Sequence, residues 1–204
     1  MSKFYRYLKE DDELDKIWET LKKDCSEYLS ILKKIKADSL LYRGTRRRIS
    51  DIIEKRKPRE RRKPSDTPKV IHDELDELFK DEFGWEARSE GVFATSYISI
   101  SSDYGEPYLF FPADGFKFVW SPEIEDLFAE IKQREIADET GVDPDMDSED
   151  IVNVLEQIVG LYRDDKLTKG IMSGHEVMFK CKYYYLVDFD FKEPIRRAIN
   201  NEIL

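Results

Sequence analysis

Residues 174–191 read GHEVMFKCKYYYLVDFDF, and no other stretch of the 204-residue chain carries so dense a β-signal. Valine, phenylalanine and three consecutive tyrosines fit a pleated, half-buried surface, and no proline or internal glycine interrupts them. Outward from this run the strand signals shorten. Segments 108–112 and 116–120 flank an Asp114-Gly115 pair of the kind that turns a hairpin. The sequence GVFATS at 91–96 is a further short strand, and SLLY at 39–42 another, ending in a turn at Arg43-Gly44.

Helical patterning lies mainly upstream. Leu14, Ile17, Trp18, Leu21, Cys25, Tyr28, Leu29, Leu32 and Ile35 recur at spacings of three and four, which predicts one amphipathic helix over 11–36. Ser65-Asp66-Thr67-Pro68 is a helix start with proline at the first position. The helix it opens presents Val70, Ile71, Leu75, Leu78 and Phe79 and stops at Gly84. A brief helix or turn precedes Tyr104-Gly105. Ser121-Pro122-Glu123 opens a helix through about 137, an acidic loop covers 138–150, and 151–162 is helical again. The residues after 191 read as a polar tail. Helices first and strands later predict an α+β class, not alternating βαβ. The expected organisation is one domain over 1–204, with a helical N-terminal extension at 1–38 and a β-core with helices at 39–192.

The composition allows a real core: 40% of residues are hydrophobic, with 12 Phe and 11 Tyr. No apolar run reaches the length of a membrane span and the N-terminus lacks a signal-peptide core, so a cytoplasmic, monomeric protein is expected. Cys25 and Cys181 read as reduced thiols. The net charge of −10 conceals a contrast. Residues 42–64 hold eleven Lys or Arg against three acids, a local +8, which leaves −18 for the rest. Such a segment, punctuated by Pro58 and Pro64, reads as a surface loop and a local anion site. Arg46, Arg47, Arg48, Arg56, Arg59, Arg61 and Arg62 are its candidates for guiding a nucleic acid or dinucleotide phosphates. Pairing with the protein's own acids explains them equally well. No aromatic interleaves them, which weakens a stacking surface.

Several chemistries are excluded. No GxGxxG follows a strand and no GxxxxGK[ST] loop exists. His72, His175 and the two cysteines cannot assemble a zinc site without carboxylates. Asp143, Asp145 and Asp147 begin like a calcium loop, but Ser148 and Val154 occupy the positions that require glycine and glutamate.

Three elements remain: Leu41-Tyr42-Arg43-Gly44, then Phe93-Ala94-Thr95-Ser96 with Tyr104-Gly105 behind it, then Gly174-His175-Glu176-Val177-Met178-Phe179. In this order, over about residues 40–188, the chain resembles the ADP-ribosyltransferase superfamily, in the class defined by an arginine, a Ser-Thr-Ser strand and a Glu-x-Glu motif. A small, charged chain of this kind is similar in style to transferases carried by phages and bacterial toxins. The resemblance implies a split antiparallel β-core with a cleft for NAD between two sheets. It also implies NAD as substrate, no metal, and a macromolecular acceptor, either a host protein or a nucleic acid. Arg43 and Gly44 would bind the dinucleotide, since a guanidinium matches phosphate oxygens as a fork. Glu176 would be catalytic, its carboxylate stabilising the oxocarbenium-like ribose left by nicotinamide. Thr95 and Ser96 would support the site through their hydroxyls. On the residues alone, Arg43 is equally a surface arginine, and Glu176 an outward-facing strand acid.

Two positions depart from the pattern. Ala94 replaces the first serine, and Gly174 replaces the first glutamate of Glu-x-Glu. The second departure argues against an arginine acceptor and leaves another side chain, a nucleic-acid base, a terminal phosphate or water. Segment 162–173 would then recognise the acceptor. The rival expectation is an inactive relative that binds and blocks a partner.

Overall fold

In the computed structural model, residues 3–59, 67–138, 141–142 and 147–201 are described, with side chains from Asp12 onward except that of Asp138. The elements in chain order are α1 (Lys3–Asp24), α2 (Ser26–Lys34), β1 (Tyr42–Thr45), β2 (Ile53–Arg56), α3 (Lys69–Phe83), α4 (Ala87–Glu90), β3 (Val92–Ala94), α5 (Ile98–Asp103), β4 (Glu106–Pro112) and β5 (Lys117–Trp120). They continue with α6 (Leu127–Gln133), β6 (Ala137–Asp138), β7 (Gly141–Val142), α7 (Ser148–Val159), α8 (Leu167–Ser173), β8 (Val177–Lys180), β9 (Tyr184–Val187), a 3₁₀ turn (Phe189–Phe191) and α9 (Lys192–Asn201). The class is α+β with antiparallel sheets. Among the described residues no helix is long and apolar enough to cross a membrane.

The chain sorts into two units. The first comprises Met1–Lys57, Ala94–Phe116 and Cys181–Leu204, and the second Pro58–Phe93 and Lys117–Lys180. In the first unit a four-stranded sheet runs β1-β4-β9-β2. β9 lies inside it, with Leu186 opposite Phe110 on one side and Glu54 on the other. Its core holds Tyr28, Leu32, Leu41, Leu109, Phe110, Phe111 and Leu186, all essentially inaccessible to solvent. Tyr28 stands edge-on to Phe111 with centroids 5.9 Å apart, a favoured aromatic geometry.

In the second unit β5 and β8 pair with Phe118 opposite Phe179 and Trp120 opposite Val177, within the sheet order β3-β8-β5. Ile71, Leu75 and Phe79 of α3 pack with Leu155, Ile158 and Val159 of α7, and with Trp85, Ile131 and Met178. Gly84 ends α3 in the left-handed conformation (φ 76°), as a helix C-terminus favours. Val70, expected on the apolar face of that helix, is instead exposed.

Other expectations are corrected. The helix read over 11–36 is two helices, because Cys25 leaves helical geometry (φ −134°, ψ 28°) while its side chain stays buried. The strand at 39–42 begins later, at Tyr42, and runs through Arg43 and Gly44. The basic segment is not wholly a loop, since β2 pairs with β9. The helix expected to run from 121 to 137 is short α6, started by Asp126 accepting from the Ala129 amide at 2.8 Å. Part of the acidic loop forms the β6–β7 hairpin; Asp143 and Asp145 lie outside the described residues, and Asp147 caps α7. The 174–191 run divides between the two sheets, β8 in one and β9 in the other. The polar tail is helix α9, which buries Ile195 and Ile199 one turn apart.

Candidate functional site

In the first unit, Tyr42 and Thr95 exchange both backbone hydrogen bonds, at 2.7 and 3.0 Å. This bridge sets Arg43-Gly44 beside Thr95-Ser96, although 52 positions of chain separate Arg43 from Thr95. Arg43 is half-buried in β1, its guanidinium carbon 5.9 Å from the Tyr184 ring centroid. That lies within the range of a cation–π contact. Burial pushes the Cys181 thiol up to about 12, with Arg43 pulling slightly the other way, so this thiol is not a ready nucleophile. Thr95 is buried, and its hydroxyl accepts from the Tyr97 amide at 3.1 Å, where the chain enters α5. Ala94 is buried at the end of β3.

The glycine of the Arg-Gly pair has a packing cause. A Cβ on Gly44 would stand 1.7 Å from the Ser101 carbonyl oxygen in α5. Gly105 answers it from the other side: its φ is +127°, and a Cβ there would meet the Thr45 carbonyl carbon at 2.4 Å. Both glycines let α5 and the start of β4 lie directly on β1.

Glu176 belongs to the second unit and immediately precedes β8, its amide donating to the Glu125 carbonyl at 2.9 Å. Its side chain is 17% exposed and lies 4.0 Å, Oε1 to Nη1, from Arg88, whose side chain is 12% exposed. Arg88 also donates to the Thr67 hydroxyl at 3.3 Å and lies over Phe93 at 5.2 Å. Its backbone is held too, because Asp76 Oδ1 accepts from the Arg88 and Ser89 amides at 2.8 and 3.1 Å. His72 approaches Asp76 at 3.3 Å and the Ser89 hydroxyl at 3.1 Å. Buried Tyr162 completes the group; burial drives its phenol well up, Glu176 adds to the shift and Arg88 opposes it. Spacing does not single out Arg88. The readable signal was the His72/Asp76 pair, one helical turn apart on α3.

Gly174 and His175 have structural duties. Gly174 closes α8 in the left-handed conformation (φ 85°), a geometry that a glutamate adopts only under strain. His175 donates from Nδ1 to the Ser121 carbonyl at 2.8 Å. Segment 162–173, read as a recognition loop, contains α8.

The basic segment also sorts itself. Arg56 is inward: it donates to Glu54 at 2.7 Å, to the Thr45 hydroxyl at 3.2 Å, and to the carbonyls of Arg47 and Arg48 at 2.8 and 3.1 Å. It latches the loop and is removed from the set that guides anions. Arg46, Arg47, Arg48 and Arg59 are exposed, while Arg61 and Arg62 lie outside the described residues. Phe110, Phe111, Tyr184 and Tyr185 are core, as strand aromatics usually are. A surface cavity of about 160 Å³ lies among Trp18, Lys22, Leu29, Lys33 and Ile199, and no predicted site residue lines it. No family model matches the chain, and no curated protein or solved structure is significantly similar to it.

Proposed function

We propose that the protein is an NAD-dependent mono-ADP-ribosyltransferase acting on a non-arginine acceptor or on water. The observation that carries this reading is the Tyr42–Thr95 bridge, which joins two of the three sequence elements into one edge of one unit. Arg43 is a half-buried guanidinium at that edge, suited to pyrophosphate oxygens. Glu176 is a largely buried carboxylate whose place is fixed by the hydrogen bond from its backbone amide to the Glu125 carbonyl and by Arg88.

In the reaction the bond between ribose C1′ and the nicotinamide nitrogen breaks, and nicotinamide leaves with the electron pair. Glu176 faces the positive charge that develops on the ribose, the role in which a preorganised carboxylate contributes most. The acceptor's nucleophile bonds to C1′ and gives up its proton. Arg88 acts through Glu176 as a positioning residue. Gly174 supplies no second carboxylate to engage a cationic acceptor, which favours an acceptor other than arginine.

Nicotinamide release from NAD, measured with wild type and Glu176→Ala, tests the proposal. Release by the wild type that falls at least about a hundredfold in the variant supports it; loss of one electrostatic group at a reacting centre commonly costs that much. Thermal shift is the companion measurement, since a ligand of the native state must raise the melting temperature. No shift at millimolar NAD, with the variant matching wild type, rejects the enzyme and leaves a binding protein.

A further inference from the structure

We propose that the two ends of α5 and the β1–β2 loop form a binding surface for single-stranded nucleic acid, with Tyr97 and Tyr104 as stacking platforms and Arg46, Arg47 and Arg48 as phosphate contacts. This surface lies wholly within the first unit and stands without any assumption about NAD.

Exposed aromatic side chains are the first observation. Tyr97 and Tyr104 are 50% and 48% exposed, well above what packing would leave to large rings. They flank the six-residue helix α5, seven positions apart. Tyr97, in extended conformation, leads into the helix and Tyr104 leaves it, so the two rings stand at its two ends. Tyr104 stands beside β1: a Cβ on Gly44 would lie 3.2 Å from the Tyr104 Cβ.

The cations come to the same place. A Cβ on Gly105, next to Tyr104, would lie 2.7 Å from the Arg46 amide nitrogen. Arg46, Arg47 and Arg48 follow in sequence, all exposed. Arg47 faces Glu54 at 3.6 Å and Arg48 donates to Glu106 at 2.8 Å, with both arginine side chains 82% exposed. The Arg48–Glu106 pair is exposed on both sides, and such a pair is weak and exchanges readily for phosphate. Arg56 fixes the loop backbone from beneath through the carbonyls of Arg47 and Arg48, so the three cations are carried on a held scaffold. No aromatic lies between Arg46 and Arg62; the fold brings the rings from positions 97 and 104.

Charge complementarity selects the occupant. Residues 42–59 hold eight Lys or Arg against two acids in a chain of net charge −10, so a polyanion is steered to this region. Rings beside a short row of cations match an unpaired strand, whose bases offer open π-faces. A duplex, with its bases stacked, has nothing to give them.

Fluorescence anisotropy of a labelled oligouridylate with the full chain tests the proposal. Binding is expected, with log K falling against log salt at a slope of about −2, roughly 0.7 for each of three phosphates. Tyr97→Ala and Tyr104→Ala should each weaken it about tenfold, while Tyr97→Phe and Tyr104→Phe retain it. Arg46→Glu with Arg47→Glu should abolish it. Absence of binding at low salt overturns the proposal. So does equal affinity for a duplex or for phosphatidylserine vesicles, or alanine variants that bind like wild type. Nicotinamide release is a separate readout, so loss of that activity leaves this result standing and the reverse.

Discussion

Arg88 and Glu176 form a loose ion pair, 4.0 Å from Nη1 to Oε1, with both side chains largely withdrawn from water. A charge in such a place depends on its partner, because desolvation has already removed its hydration. Arg88→Ala is therefore expected to lower unfolding free energy by about 3 kcal/mol. Arg88→Ala combined with Glu176→Ala should cost less than the sum of the two. Urea denaturation of the three variants measures both effects. If the reading of Glu176 holds, Arg88→Ala also slows nicotinamide release without raising the KM for NAD in proportion, as expected of a group that acts on the reacting centre through another.

Gly44 and Gly105 are expected to be the least substitutable positions of the first unit. Alanine at Gly44 would place its methyl 1.7 Å from a backbone oxygen, and alanine at Gly105 combines a 2.4 Å clash with a φ of +127°. Backbone neighbours yield less readily than side chains, so each change should cost about 3 kcal/mol or more. For a chain of this size that is a fall in Tm of roughly 6–12 °C. Gly115→Ala is the control, as its Cβ would meet nothing within 4 Å. It keeps a positive φ (77°) and should cost only about 1 kcal/mol. Differential scanning calorimetry ranks the three.

Gly174→Glu restores the acid of Glu-x-Glu at a position whose left-handed backbone suits glycine. A loss of about 1–2 kcal/mol is expected from the backbone alone. Transfer to an arginine acceptor is not expected to appear, because the variant must disturb the end of α8 to accommodate the side chain. Labelling of an arginine-rich peptide with labelled NAD would decide it.

Stability should fall in mild acid for identifiable reasons. The Tyr185 hydroxyl donates to Asp24 Oδ2 at 2.5 Å and, with Lys55, holds that carboxyl below its ordinary range despite partial burial. Arg56, then Ser50, does the same for Glu54. Both groups titrate lower in the folded chain than in the unfolded one, so their contribution is complete above the unfolded values near pH 4. It is lost as pH falls through the lower folded values. Tyr185→Phe removes the principal cause at Asp24 and should flatten the acid limb of a stability-versus-pH curve between about pH 5 and 2.

The legible parts of the fold share a cause. α3, which begins just after Pro68 and stops at Gly84, obeys local rules that need no partner, whereas the Asp114-Gly115 pair turns no hairpin, because β4 pairs with β1 and β9 while β5 pairs with β8. β2 did not announce itself because IEKR shows no apolar alternation; its place is won by pairing with β9 and by the inward ion pair of Arg56 with Glu54. α9 was masked by its charges, since only Ile195 and Ile199 reach the core. The break at Cys25 was invisible because the apolar stripe continues across it on both sides. Within the candidate site, the Tyr42–Thr95 bridge juxtaposes residues that order alone could only suggest, and Arg88 came from a polar stretch with no spacing to mark it.

The inner position of β9 bears on how the protein is made. Its neighbours β4 and β2 emerge from the ribosome long before Tyr184–Val187 do, and until then each has a bare edge. The sheet of the first unit is thus completed only after Tyr184–Val187 have been made. A chain truncated before that strand leaves the edges of β4 and β2 open, ready to pair with another copy.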